Sequence, residues 1–119
     1  MTRERRADGL RAIDKVEDCA TMAEVRRQVD ALDDILVPLL VTRGGYMTQA
    51  AKVKNDPGLV RDEDRIEAIV ARVRERAAAE GGQPDVIEAI YRSMMEAYIA
   101  YEHRELARLQ SEQNEDKRP

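Results

Sequence analysis

From Met22 to Val53, apolar side chains recur at steps of three and four residues, through Met22, Val25, Val29, Leu32, Leu36, Leu39, Tyr46, Ala50 and Val53. Arg43 occupies one position of the same series. This period puts all of these side chains on one helical face. Such a helix is ~48 Å long, whereas a compact chain of this size has a radius of gyration of only ~13–14 Å. The stripe therefore cannot be covered entirely from within the chain, and a homodimer sharing its long helices would cover it. Thr21 and Glu24 have the T-x-x-E form of a capping box, which places the start near Met22. Pro38 removes the bond to the Asp34 carbonyl at a cost of ~3 kcal/mol, and Gly44-Gly45 weakens the helix further. Because the apolar register continues unchanged across Pro38, the helix is expected to reach Val53 or Lys54 with a bend at the proline.

Two more helices follow from punctuation and period. Asn55-Asp56-Pro57-Gly58 is a turn signal, and Asp62 is a candidate N-cap for a helix presenting Ile66, Ile69, Val70, Val73 and Ala77 on one face. Gly81-Gly82 ends that helix and Pro84 suits the first turn of the next. The third stripe runs Ile87, Ile90, Tyr91, Met94, Met95, Tyr98 and Ile99, then Glu102, Leu106 and Leu109. The expected fold is all-α, with three helices per chain, a long first helix and an intertwined homodimer. Residues 1–17 and 111–119 are polar and aperiodic, and are expected to be a mobile N-terminal extension and a mobile C-terminal tail around a helical domain at 18–110.

Composition agrees with helices and narrows the partners. Phenylalanine and tryptophan are absent, so the core must come from Leu, Ile, Val, Ala and Met, and 37% of residues are charged. The net charge of −4 argues against a nucleic-acid-binding face but leaves room for a local basic pocket that takes a small anion. The N-terminus lacks the apolar core of a signal peptide, and the longest apolar stretch, Ile35 to Val41, is far below the ~20 residues that span a bilayer. A cytoplasmic protein without membrane contact is expected. The lone Cys19 cannot form an internal disulfide and reads as a bland thiol.

The charges within apolar stripes carry the chemistry. Lys54, eleven residues after Arg43, returns to within about 20° of it around the helix, roughly 16 Å away, with Met47 and Ala50 between them. Burying cations against apolar neighbours is costly unless an anion meets them, so the protein or a ligand must supply one. Glu102 is the counterpart in the third stripe, on one face with Met95, Tyr98 and Leu106. Desolvation there favours the neutral, hydrogen-bond-donating acid, while a nearby cation favours the carboxylate. A buried ion pair of Glu102 with Arg43 or Lys54, holding a dimer in register, is the structural alternative. Arg26 beside Val25 and Arg65 beside Ile66 each read, taken alone, as solvated surface arginines.

Taken together, these positions resemble the all-helical class of chorismate mutases. Val25-Arg26-Arg27-Gln28-Val29-Asp30-Ala31-Leu32-Asp33 is similar to the family's L-R-x-x-I-D-x-L-D, and Leu39-Leu40-Val41-Thr42-Arg43 to its L-L-x-x-R. Ala50-Ala51-Lys52-Val53-Lys54 resembles the stretch ending in the family's lysine, and Val60-Arg61-Asp62-Glu63-Asp64-Arg65 its V-R-D-x-x-R. The intervals from Arg26 to Arg43 and from Arg43 to Lys54 also agree, and the resemblance covers roughly residues 22–106.

The resemblance implies an isomerase of aromatic amino acid biosynthesis, converting chorismate to prephenate by an intramolecular [3,3] rearrangement with no cofactor, metal or covalent intermediate. The dianionic substrate would supply the missing negative charge. Arg43 and Arg65 would hold its carboxylates, Arg26 would reach in from the other subunit, and Lys54 would contact a carboxylate and the ether oxygen. Glu102 falls where the family has Gln or Glu, whose proton-bearing end meets that oxygen. Lys54, Glu102 and Arg43 are thus the catalytic candidates.

Two positions depart from the pattern. Ile66 stands where well-known mutases carry a glutamate for the substrate's ring hydroxyl, leaving Asp62 as the candidate for that contact, and Tyr98 replaces a small polar residue. The shorter Lys54–Arg65 loop, Glu17-Asp18-Cys19 and Tyr98-Ile99-Ala100 resemble a sister group, the isochorismate pyruvate-lyases, which release salicylate and pyruvate. A non-enzymatic helical dimer or adaptor is the third reading, in which buried charges only set register.

Overall fold

The computed structural model describes residues 16–117. Three α-helices occupy most of them: α1 at Met22–Lys54, α2 at Glu63–Ala79 and α3 at Pro84–Asp116, with a single 3-10 turn at Pro57–Leu59. No strand occurs among the described residues. The expected N-terminal extension lies almost wholly outside them. No described helix is long and apolar enough to cross a membrane.

The helix ends follow the local chemistry closely. Thr21 Oγ1 accepts from the Glu24 amide at 3.2 Å, and Glu24 Oε2 reaches back to the Ala20 amide at 2.9 Å, one residue before the partner of an ordinary capping box. Glu24 in the first turn and Lys52 and Lys54 in the last complement the helix dipole of α1. Asp62 caps α2, its Oδ1 accepting from the Arg65 amide at 3.0 Å. Gly81, at φ +82°, adopts the left-handed conformation that ends α2, while the Gly82 amide returns to the Ala77 carbonyl at 2.8 Å. Pro84 opens α3, where its missing N–H costs no helical bond.

One feature follows the pattern and one departs from it. α1 is helical without interruption through Pro38 and Gly44-Gly45. α3 continues to Asp116, through residues 111–116 that composition assigned to a tail. Glutamate, glutamine and arginine are good helix formers, and Arg108 ties this extension to the preceding turn by donating to Glu112 at 2.7 Å and to both oxygens of Glu105. A polar helix has no apolar stripe to reveal it.

The chain divides into two compact units, residues 1–43 and 44–119. In the first, the stripe on α1 is open: Met22, Val29, Leu32, Leu36 and Leu39 are between 39% and 57% exposed. In the second, α2 packs on α3 through Ile66, Ile69, Val70, Val73 and Met95, with Ile87, Tyr91 and Ile99 against them. A smaller apolar cluster joins Ala51 near the end of α1, Val60 in the turn and Leu106 on α3. Arg92 fastens the outside of the α2–α3 pair, donating to both carboxylate oxygens of Glu67 at 3.0 and 3.1 Å and to Glu88 at 2.7 Å. These hydrogen bonds hold the Glu67 and Glu88 carboxyls below their usual range and the Arg92 guanidinium above its own.

Candidate active site

Lys54 and Glu102 meet in the second unit. Lys54 is the last residue of α1, so its ammonium projects from a helix end rather than a flank. Glu102 lies on the buried face of α3, one turn before Leu106, and is only 3% exposed. Lys54 Nζ stands 3.1 Å from Glu102 Oε2 and also donates to the Val60 carbonyl at 3.2 Å. The first contact is a charge pair without hydrogen-bond geometry, since the buried Oε2 has no hydrogen-bond partner. The acid side chain is only 4% exposed, whereas the Lys54 side chain keeps 29% of its surface open. One partner is thus sequestered and the other can be reached from solution.

The remaining candidates fall into two groups. Arg26 and Arg43 belong to the first unit, with Arg26 exposed in the early turns of α1 and Arg43 half-buried. Asp62, Arg65, Ile66 and Tyr98 belong to the second. Arg65 is exposed in the first turn of α2, and its guanidinium has no ion-pair partner among the described residues. Arg61 in the same segment differs: it is paired with both Glu63 and Glu96, which hold its guanidinium above the usual range, Glu96 the more strongly. One cation of the V-R-D-x-x-R segment is therefore tied down and the other left available. Asp62 gives one carboxylate oxygen to the α2 cap. Ile66 is buried in the α2–α3 core beside Met95.

Three contributors escape a reading by stripe and charge. Gly44, at the start of the second unit, is buried against α3: a Cβ there would stand 3.2 Å from Cε1 of Tyr98, so the missing side chain makes room for that ring. Gly45 faces open space, so only one glycine of the pair is required by packing. Thr48 Oγ1 donates to Glu105 Oε1 at 2.9 Å, adding a polar link between α1 and α3. Together with Arg108, Thr48 holds the Glu105 carboxyl below its usual range, Arg108 contributing more. The third is the Val60 carbonyl, a main-chain atom that no residue-type pattern can mark.

A buried acid against an ammonium, in a unit that also carries an exposed arginine without an ion-pair partner among the described residues, suits an anion that is held and rearranged. The sequence pattern of the family described as Chorismate mutase type II matches residues 25–103, which takes in every candidate residue above. The chain belongs to the chorismate mutase type II family. It is accordingly an isomerase that converts chorismate to prephenate, and its all-helical fold is that of the family. No curated protein and no solved structure matches the chain. The family match gives no separate support to the pyruvate-lyase or adaptor readings.

Proposed function

We propose that this chorismate mutase works by electrostatic preorganisation in a homodimer, with Lys54 and Glu102 on either side of the substrate's ether oxygen. The observation that carries the reading is the 3.1 Å approach of Lys54 Nζ to the buried Glu102 carboxylate. Arg43 and Arg65 bind the two substrate carboxylates, and Arg26 is contributed by the other subunit. Asp62 is the candidate for the ring hydroxyl, and Ile66 and Tyr98 bound the ring side.

In the rearrangement the ether C–O bond breaks as the enolpyruvyl methylene carbon bonds to the ring, and no proton is gained or lost overall. Negative charge gathers on the ether oxygen because C–O cleavage runs ahead of C–C formation. When a substrate carboxylate draws the Lys54 ammonium away, the buried Glu102 is left without its counter-charge. A protonated Glu102 donates to the ether oxygen, whereas an ionised one repels it. The pocket also holds the flexible side chain over the ring, removing rotational freedom before the barrier is reached.

The exposed apolar stripe on α1 supports the dimer, because a second copy of the same stripe is the surface that matches it in length and chemistry. The test mixes two variants after joint unfolding and refolding. Arg26→Ala and Lys54→Ala are each expected to lose most prephenate formation alone. A mixed dimer then contains one site with both residues intact, so the mixture recovers about a quarter of wild-type activity. If Arg26 serves its own subunit, no site is restored and the cross-subunit assignment fails. If both single variants keep full activity, the site reading fails.

A further inference from the structure

We propose that the turn Asp56–Val60 is a positioning element for Lys54, and that the main-chain carbonyl of Val60 is the contact that aims its ammonium. The proposal rests on the reading of Lys54 as a catalytic residue. A lysine ammonium is a compact charge on a flexible four-carbon stem, so an anchor at one point leaves its direction open. Here it has a second anchor, since Nζ donates to the Val60 carbonyl at 3.2 Å while standing 3.1 Å from Glu102 Oε2.

The acceptor is itself held firmly. The Val60 side chain is buried between Ala51, three residues before Lys54 on α1, and Leu106, one turn after Glu102 on α3. The carbonyl is thus tied to the same two helices that carry the ammonium and the acid. The turn is closed from its other end by Asp56, whose Oδ1 accepts from the Gly58 amide at 2.8 Å. Main-chain bonds from Leu59 to the Asp56 carbonyl at 3.0 Å and from Val60 to the Pro57 carbonyl at 3.3 Å complete it. Asn55, at φ +50°, makes the sharp exit from α1 that brings the turn back over Lys54.

The chemistry of the second anchor matters. A carbonyl is neutral, so it orients the ammonium without cancelling the charge that the transition state uses. Glu102 competes with the substrate for that charge, and Val60 does not. When an anion draws Lys54 from Glu102, the Val60 carbonyl remains as the pivot.

Asp56 gives the cleanest perturbation because it is exposed and its side chain bonds within the turn. Asp56→Ala is expected to lower kcat about tenfold while KM changes less than about twofold, because misdirection of Lys54 is felt mainly in the transition state. Asp56→Asn restores kcat, since its amide oxygen can accept the same Gly58 bond. A bicyclic dicarboxylate mimic of the transition state, titrated by calorimetry, gives a readout that needs no turnover. Asp56→Ala should weaken its binding about tenfold in the wild-type background and less than about twofold in a Lys54→Ala background. An equal loss in both backgrounds, or a kcat that Asp56→Asn does not recover, overturns the positioning role and leaves the site reading intact. Full kcat in Lys54→Ala overturns both.

Discussion

Removing the ammonium while keeping the acid isolates what the Lys54–Glu102 pair does for the fold. Lys54→Met retains most of the stem and leaves a carboxyl that is 4% exposed, with an Oε2 that already lacks a hydrogen bond. Stripping one partner from a buried pair typically costs ~3–5 kcal/mol. The stranded carboxyl has neither a counter-charge nor a hydrogen bond at Oε2, so Lys54→Met is expected to lose most of that amount. Glu102→Gln strands only a lysine that is 29% open to water and keeps the Val60 carbonyl, so its cost should be ~1 kcal/mol or less. The assay is urea unfolding followed by helical circular dichroism, at fixed protein concentration because a dimer's midpoint depends on it. A Lys54→Met deficit below ~1 kcal/mol would refute the reasoning, as would a Glu102→Gln deficit as large as that of Lys54→Met.

Gly44→Val pushes a branched side chain against the Tyr98 ring, 3.2 Å from the Cβ position, and should cost ~1–3 kcal/mol in thermal unfolding. Gly45→Ala meets open space and should stabilise by up to ~1 kcal/mol, and a reversed order of the two would contradict the packing described. Leu106→Ala empties the buried cluster it shares with Ala51 and Val60 and should cost ~2–4 kcal/mol by denaturant titration. The depressed Glu67 and Glu88 carboxyls contribute stability that is present above the ordinary carboxylate range and lost as pH falls through their folded values. Arg92→Leu should therefore flatten the acid limb of the melting-temperature profile, and an unchanged limb would show that these surface pairs carry no linkage.

What the chain reveals before folding depends on whether a constraint is written in side-chain type or in main-chain position. The limits of α1, the Asp62 cap and the Pro84 start were legible because each depends on a short motif whose chemistry is local. The same holds for the apolar face of α2, which reads directly as Ile66, Ile69, Val70, Val73 and Ala77. Residues 111–116 were not legible as helix, since a solvated helix has no stripe and depends on propensity and pairs such as Arg108–Glu112. Gly44 looked like a weakness by propensity alone, and only the Tyr98 ring beside it shows what a side chain there would displace.

The site divides along the same line. Glu102 could be singled out because a charge inside an apolar stripe violates the pattern at a physical cost that some partner must offset, and Lys54 because it returns to the helical face of Arg43, the charged member of the first stripe. Their meeting at 3.1 Å provides one such partner for each in the absence of substrate. The Val60 carbonyl violates nothing, since every residue of the V-R-D-x-x-R segment carries an identical atom and the sequence shows only a valine. Its importance arises from burial of the attached side chain against Ala51 and Leu106, which turns an ordinary acceptor into a stationary one. A lysine that must release an acid and seize a dianion needs one contact that does not change between the two states. In this chain the neutral carbonyl, held by the same helices that carry both charges, is the group able to provide it.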